Sequence, residues 1–225
     1  MNNKKKQPAS YDPHPYIAKE GWGIIVIALV IAAVLQINSS VFAWPAWLFI
    51  IFALQFFRDP TRIPVGDNWS VLAPADGKVI AIEKTEDPIQ KKITTKVSIF
   101  MNVFNVHSNR SPMDGVVLSK NYFQGGFLNA ALDKASSDNE RNALVIKHRL
   151  SDVTITCIQI AGLVARRILC HVDEGDEVLR GGRYGFIRFG SRVDVYLPEN
   201  VEIQVMIGDK VKAALDVIAQ LPKSD

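Results

Sequence analysis

Apolar and polar positions divide this chain unevenly. From Gly21 to Phe57 there is no Asp, Glu, Lys, Arg or His, whereas the sequence on either side carries ordinary mixed charge. The apolar stretch is interrupted at Gln36-Ile37-Asn38-Ser39-Ser40, a short uncharged polar break. As helices, its two halves reach roughly 22 and 26 Å, the short end of what a hydrocarbon core of about 30 Å requires. The pattern predicts a helical hairpin in a membrane, turning at Asn38-Ser39-Ser40. Trp22, Trp44 and Trp47 lie near the ends of the runs, where amphipathic rings prefer the interface. Lys4, Lys5, Lys6 and Lys19 precede the hairpin, and Arg58 and Arg62 follow it. The positive-inside tendency therefore places both flanks, and the domain that follows, on the cytoplasmic face of the cell membrane. The second apolar run argues against a signal peptide, and nothing else in the chain is suited to covering a soluble hairpin.

Beyond Arg58 the pattern changes to short β-branched runs separated by turn signals. Pro60, Pro64 and Gly66 mark the linker. Strands are predicted at Lys78–Glu83, Thr94–Phe100, Gly115–Tyr122, Ala143–Lys147, Val153–Ile160, Val164–Cys170, Val193–Leu197 and Glu202–Ile207, with a helical turn over Phe127–Lys134. The expected fold is mostly β, a barrel-sandwich or β-sandwich-like domain behind the N-terminal hairpin. The chain thus divides into a basic tail (1–20), a membrane hairpin (21–57) and a β-rich domain (58–225). A weak repeat supports the fold: Gly175-Asp176-Glu177-Val178 and Gly208-Asp209-Lys210-Val211 share Gly-Asp-X-Val, a turn entering a strand. The repeat occurs in lipoyl- and biotinyl-type domains, but their lysine-bearing hairpin tip is missing, so it speaks for fold and not for a carrier role.

The 225 residues are 48% hydrophobic, which excludes a disordered chain. A net charge of +3 gives no support for nucleic-acid binding. Cys157 and Cys170 sit in apolar runs and read as buried, reduced thiols. Two cysteines supply neither a disulfide scaffold nor a four-cysteine zinc site, and no metal or external cofactor is expected.

Candidate chemistry falls in three segments: Ala73–Val79, where Asp76-Gly77 reads as a hairpin turn; Phe100–Pro112, which contains Phe104-Asn105-Val106-His107; and Arg188–Tyr196, which contains Phe189-Gly190-Ser191-Arg192-Val193-Asp194. Taken singly, Gly190-Ser191 reads as a turn and His107 as a structural histidine. Taken together, Ser, His and Asp are the groups that activate a hydroxyl nucleophile. A serine directly after glycine is also suited to attack on its own peptide bond.

These segments, the apolar N-terminal region and Asn139-Glu140-Arg141-Asn142 resemble the short form of phosphatidylserine decarboxylase over nearly the whole chain. The resemblance implies self-processing: Ser191 attacks the Gly190 carbonyl, the resulting ester eliminates, and the dehydroalanine hydrolyses to a pyruvoyl group. Chains Met1–Gly190 and Ser191–Asp225 would remain together as a heterodimer, with higher assembly open. His107 is implied as the base and Asp76 as its orienting carboxylate. The pyruvoyl group at position 191 would form a Schiff base with phosphatidylserine in the membrane, and loss of carbon dioxide would leave phosphatidylethanolamine. Phe104 stands where long-form members look to carry a second histidine, leaving His107 as the candidate proton donor. Phe104 is a candidate acyl-chain contact, with core packing as the alternative. Arg166 is a candidate contact for the lipid phosphate, with a solvated strand face as the alternative. Three other functions remain open: a decarboxylase of a related amino-group lipid, a membrane-tethered adaptor, and a serine hydrolase.

Overall fold

A computed structural model describes residues 15–38, 41–132, 134–163, 167–188 and 190–222. These form two compact units, one of residues 15–61 with 104–106, the other of residues 62–103 with 107–222.

The first unit is a helical hairpin. Helix α1 spans Lys19–Ile37 and α2 spans Ala43–Phe56. Small side chains let the helices approach: Ala28, Ala32 and Ala46 pack with Ile50. The base is closed where Ala18 N–H donates to the Phe57 carbonyl at 2.7 Å and Ile17 bridges Arg58. Trp22, Val26, Val30, Leu48 and Ile51 point outward and are exposed. Helix α1 runs through Gln36 instead of stopping before it, and is long and apolar enough to cross a membrane. Helix α2, at 14 residues, reaches only about 21 Å. Of the predicted turn, Ser39 and Ser40 lie outside the described residues, as do Lys4, Lys5 and Lys6.

The second unit is almost entirely antiparallel β. Its strands are β1 (Ser70–Leu72), β2 (Gly77–Glu86), β3 (Ile93–Met101), β4 (Ser108–Arg110), β5 (Gly115–Phe123), β6 (Arg141–His148), β7 (Thr154–Ile160), β8 (Ile168–Cys170), β9 (Glu177–Val178), β10 (Arg183–Ile187), β11 (Ser191–Pro198), β12 (Glu202–Ile203), β13 (Lys210–Val211) and β14 (Val217–Gln220). An eight-stranded sheet runs β13-β2-β3-β11-β7-β6-β5-β9, and two three-stranded sheets run β1-β14-β12 and β4-β10-β8. One apolar core, including Val97, Ile99, Leu144, Ile146, Ile155, Val193 and Val195, fills the interior.

The Gly-Asp-X-Val repeat is the visible part of a larger duplication. Asp76-Gly77 leads into β2, and Asp114-Gly115 leads into β5. At each glycine the neighbouring strand comes so close that a Cβ would lie 2.2 Å from the Phe100 carbonyl oxygen, or 2.1 Å from that of Lys147. Val79 exchanges backbone hydrogen bonds with Gly208 and Asp209 (2.8 and 2.9 Å), as Val117 does with Gly175 and Asp176 (2.8 and 3.0 Å). The copies are tied reciprocally: Leu72 N–H donates to the Pro112 carbonyl and Arg110 N–H to that of Pro74 (2.8 and 2.9 Å). Gly175 and Gly208 have φ of +86° and +105°, which glycine adopts without a Cβ penalty.

Three expectations change, and a fourth is only partly described. Asp76-Gly77 is not a hairpin turn, because β1 and β2 lie in different sheets and the segment turns a corner between them. Among the described residues of Phe127–Lys134 no helix forms: a single turn closes where Leu132 N–H donates to the Asn129 carbonyl at 3.0 Å, and helix α3 spans Ala135–Asp138. There the Asn139 side chain bonds both the N–H and the carbonyl of Leu128 (each 2.8 Å), taking the groups a helix would use. The strand at Glu202–Ile207 stops at Ile203 because Met206–Asp209 folds into a turn. Of Val164–Cys170, the described strand is β8; Val164–Arg166 lie outside the described residues.

Burial pushes the Cys157 thiol up to about 12 and also raises that of the half-buried Cys170. Iodoacetamide at pH 8 should therefore label Cys170 slowly and leave Cys157 unmodified until the protein is unfolded, as read by peptide mass.

Candidate active site

Ser191 is the first residue of β11, which lies between β3 and β7. It pairs with Met101, and Arg192 pairs with Phe100 on one side and Ile160 on the other. Strand alternation sends Val193, Val195 and Leu197 into the main core and Arg192, Asp194 and Tyr196 to the opposite face. That face is also buried: Arg192 is 2% exposed. Its guanidinium grips both Asp194 oxygens (2.8 and 2.9 Å) and reaches the carbonyls of Ala130 and Leu132 (3.2 Å each) and the Ser136 hydroxyl. A buried cation is tolerable only with such a set of partners. The result fixes Ala130, Leu132 and Ser136 beside the start of β11. Asn139 adds a bond from Nδ2 to the Ala161 carbonyl at 2.7 Å.

The peptide bond before Ser191 is confined from the other side. Gly190 has φ +60°, and its carbonyl rests on Gly162, where a Cβ would lie 1.8 Å from the oxygen and 2.8 Å from the carbon. The Ser191 hydroxyl is fully buried and donates to Met101 Sδ at 3.3 Å.

His107 immediately precedes β4 and is fully buried. Its carbonyl accepts from Ile187 N–H at 3.3 Å, and its ring lies 6.3 Å from that of Phe186. The β4–β10 pairing thus brings His107 beside the chain that enters Gly190-Ser191. Asp76 precedes β2, whose Lys78 shares a row with Phe100 and Arg192. Its carboxylate receives two parallel bonds from Arg62, that from Nη2 being 2.8 Å, and one from Ala213 N–H at 2.8 Å. Arg62 and Asp76 are both buried. Fold and register gather the segments bearing Asp76, His107 and Ser191, but the described side-chain bonds of Asp76 and Ser191 run to Arg62, Ala213 and Met101, not to His107.

The remaining candidates separate. Phe104 is 68% exposed, which removes core packing as its role. Its carbonyl receives Gln55 Nε2 (3.1 Å) and Arg58 Nη2 (2.7 Å). Arg166 lies outside the described residues. His148 is structural, with ring nitrogens on Ser151 and Asn68 (2.9 Å each). Sequence reasoning passes over Arg62, Gly162 and the buried amides Asn109 and Gln159 as site residues, and meets Asn142 only as part of the Asn139-Glu140-Arg141-Asn142 motif. An amide inside an apolar run, as Gln159 is in Thr154–Ile160, is the signal that could find them. Among the described residues no group of three or more His, Cys, Asp and Glu is arranged to hold a metal.

A sequence model of the phosphatidylserine decarboxylase family matches residues 49–219. The chain belongs to this family. The phosphatidylserine decarboxylase proenzyme of Burkholderia ambifaria strain MC40-6 is 58% identical over 211 residues, spanning 93% of this chain and 98% of the relative. That of Burkholderia pseudomallei strain 1106a is 56% identical over 213 residues, spanning 94% and 98%. Membership in a decarboxylase family leaves the adaptor reading without support. The family match covers β1 through β13 and most of β14, so each segment of the candidate site lies inside it.

Arg62→Met should leave the buried Asp76 carboxylate without its charged partner. The expected loss is about 3–5 kcal/mol of stability, read as a lower denaturant midpoint in detergent.

Proposed function

We propose that this chain is a self-processing phosphatidylserine decarboxylase, releasing carbon dioxide and leaving phosphatidylethanolamine. The observation that carries this reading is the junction at 190/191: a left-handed Gly190 whose carbonyl is seated on Gly162, followed by a fully buried serine at the head of a central strand. Apart from its chain neighbours, nothing among the described residues lies within 4 Å of where a Gly190 side chain would begin. The residues present therefore fit conversion of Ser191 into a pyruvoyl group.

In the proposed reaction, Ser191 Oγ attacks the Gly190 carbonyl carbon while His107 takes its proton. The C–N bond breaks as His107 passes that proton to the departing amine nitrogen of residue 191, leaving an ester and a free base. His107 then removes the Cα proton of residue 191, the Cβ–O bond breaks, and Gly190 leaves as a carboxylate. Water replaces the amino nitrogen, which departs as ammonia. Asp76 orients His107: an ionised carboxylate has about four lone-pair sites, so bonds to Arg62 and Ala213 leave room for an imidazole. Once formed, the pyruvoyl ketone supplies the electron sink for loss of carbon dioxide. His107 returns the proton to the product, and the exposed Phe104 ring meets an acyl chain. Arg166 is kept as a phosphate contact.

Cleavage would give Met1–Gly190 and Ser191–Asp225. The small chain would carry β11 through β14, with β11 still paired to β3 and β7, so the two chains stay associated. The hairpin would hold the enzyme at the cytoplasmic face of the cell membrane. That placement suits a lipid substrate, since each methylene drawn from the bilayer costs about 0.8 kcal/mol.

Intact mass of the purified protein tests the reading. Wild type should give two chains split after Gly190, the small one lighter than a free-serine fragment by one ammonia. Ser191→Ala should stay whole and lose all activity. A cleaving Ser191→Ala, or an active enzyme that is never cleaved, would overturn it.

A further inference from the structure

Three buried amides lead through the sheet toward Ser191. Asn142 Nδ2 donates to Gln159 Oε1 at 3.0 Å, and Gln159 Nε2 donates to Asn109 Oδ1 at 2.8 Å. Asn109 Nδ2 in turn donates to Met101 Sδ at 3.8 Å. None of the three amides is more than 1% exposed. The direction of this relay is fixed by a backbone group. Gln159 Nε2 also lies 3.4 Å from the Leu169 carbonyl, which can only accept, so the nitrogen of Gln159 must sit on that side. Asn109 then answers Gln159 with its oxygen and has to turn its NH2 toward Met101. Gly185 leaves the space, since a Cβ there would lie 2.6 Å from Gln159 Nε2. The same sulfur that ends the relay receives the Ser191 hydroxyl at 3.3 Å.

We propose that Met101 Sδ, held in place by the Asn142–Gln159–Asn109 relay, is the resting acceptor of the Ser191 hydroxyl and slows self-cleavage. The inference rests on self-cleavage at Ser191. A thioether accepts a weak hydrogen bond but is not a base, so it cannot receive the proton that Oγ gives up on attack. The O–H···S bond therefore exists in the resting chain and is absent from the transition state. An interaction made only in the ground state raises the barrier by its own net strength. For a bond in the weaker half of the neutral range, as one to a thioether is, that corresponds to a delay of about 2- to 5-fold. Asn109, Gln159 and Asn142 act through Met101 and are positioning residues.

The test is the rate at which newly synthesised full-length chain converts to two chains, followed on gels across a range of pH. Met101→Leu conserves side-chain volume and removes the acceptor. Replacing all four methionines by norleucine removes it with even less change of shape. Both proteins should cleave about 2- to 5-fold faster than wild type, with the same pH dependence, because sulfur does not titrate, and with a similar melting temperature. Cleavage at the wild-type rate or slower in both, while wild type cleaves, overturns the inference and leaves the decarboxylase reading intact. If wild type also stays whole, self-cleavage itself fails and the inference falls with it.

Discussion

A serine can be both completely buried and held in one place only if the strand that carries it is secured along its length. Here β11 is paired through all eight of its residues with β3 and through five with β7. Its odd residues enter the main core and its even residues enter a second buried face, so neither face is free to roll. The second face contains Arg192 and Asp194, a buried ion pair that would be costly without its neighbouring acceptors. Satisfying Arg192 draws in the carbonyls of residues 130 and 132, and Asn139 secures the same segment to Ala161. Gly162 follows directly and receives the Gly190 carbonyl. Burial of one strand thereby arranges the segments around the junction at its head.

Much of this is legible in the sequence, for reasons that can be traced. The stretch from Gly21 to Phe57 announces its hairpin because so long a gap in charge would be ruinous on a water-facing surface, and α1 and α2 fall within or just beside it. The long strands β2, β3, β5, β6, β7 and β11 are visible as β-branched runs, off by a few residues at their ends. The short strands β1, β4, β10 and β14 are not, because three to five residues give too little alternation to read. Phe127–Lys134 looks helical by composition, but a single side chain, Asn139, captures the backbone groups of Leu128 from eleven residues away. Propensity has no access to such a contact.

The candidate site shows the same division. Ser191, Gly190, His107 and Asp76 stand out because their residue types have chemistry of their own. Arg62, Gly162 and Asn109 do not: an arginine in a proline-rich linker, a glycine in a loop and an asparagine near a histidine are ordinary locally. Their roles depend on what lies opposite them in space: the Asp76 carboxylate, the Gly190 carbonyl and the Met101 sulfur.

The duplication of β2 and β5 has a further consequence. Each copy has an aspartate before a strand-opening glycine, and each aspartate Oδ1 accepts from one equivalent backbone N–H, Ala213 for Asp76 and Arg180 for Asp114 (2.8 and 2.9 Å). Only Asp76 has an arginine side chain on it among the described residues. The corner is thus built in one copy from backbone alone, and Arg62 is an addition that the architecture does not demand. The molecule contains its own control experiment: whatever the two corners share belongs to the architecture they have in common, and Arg62 is what sets the first corner apart.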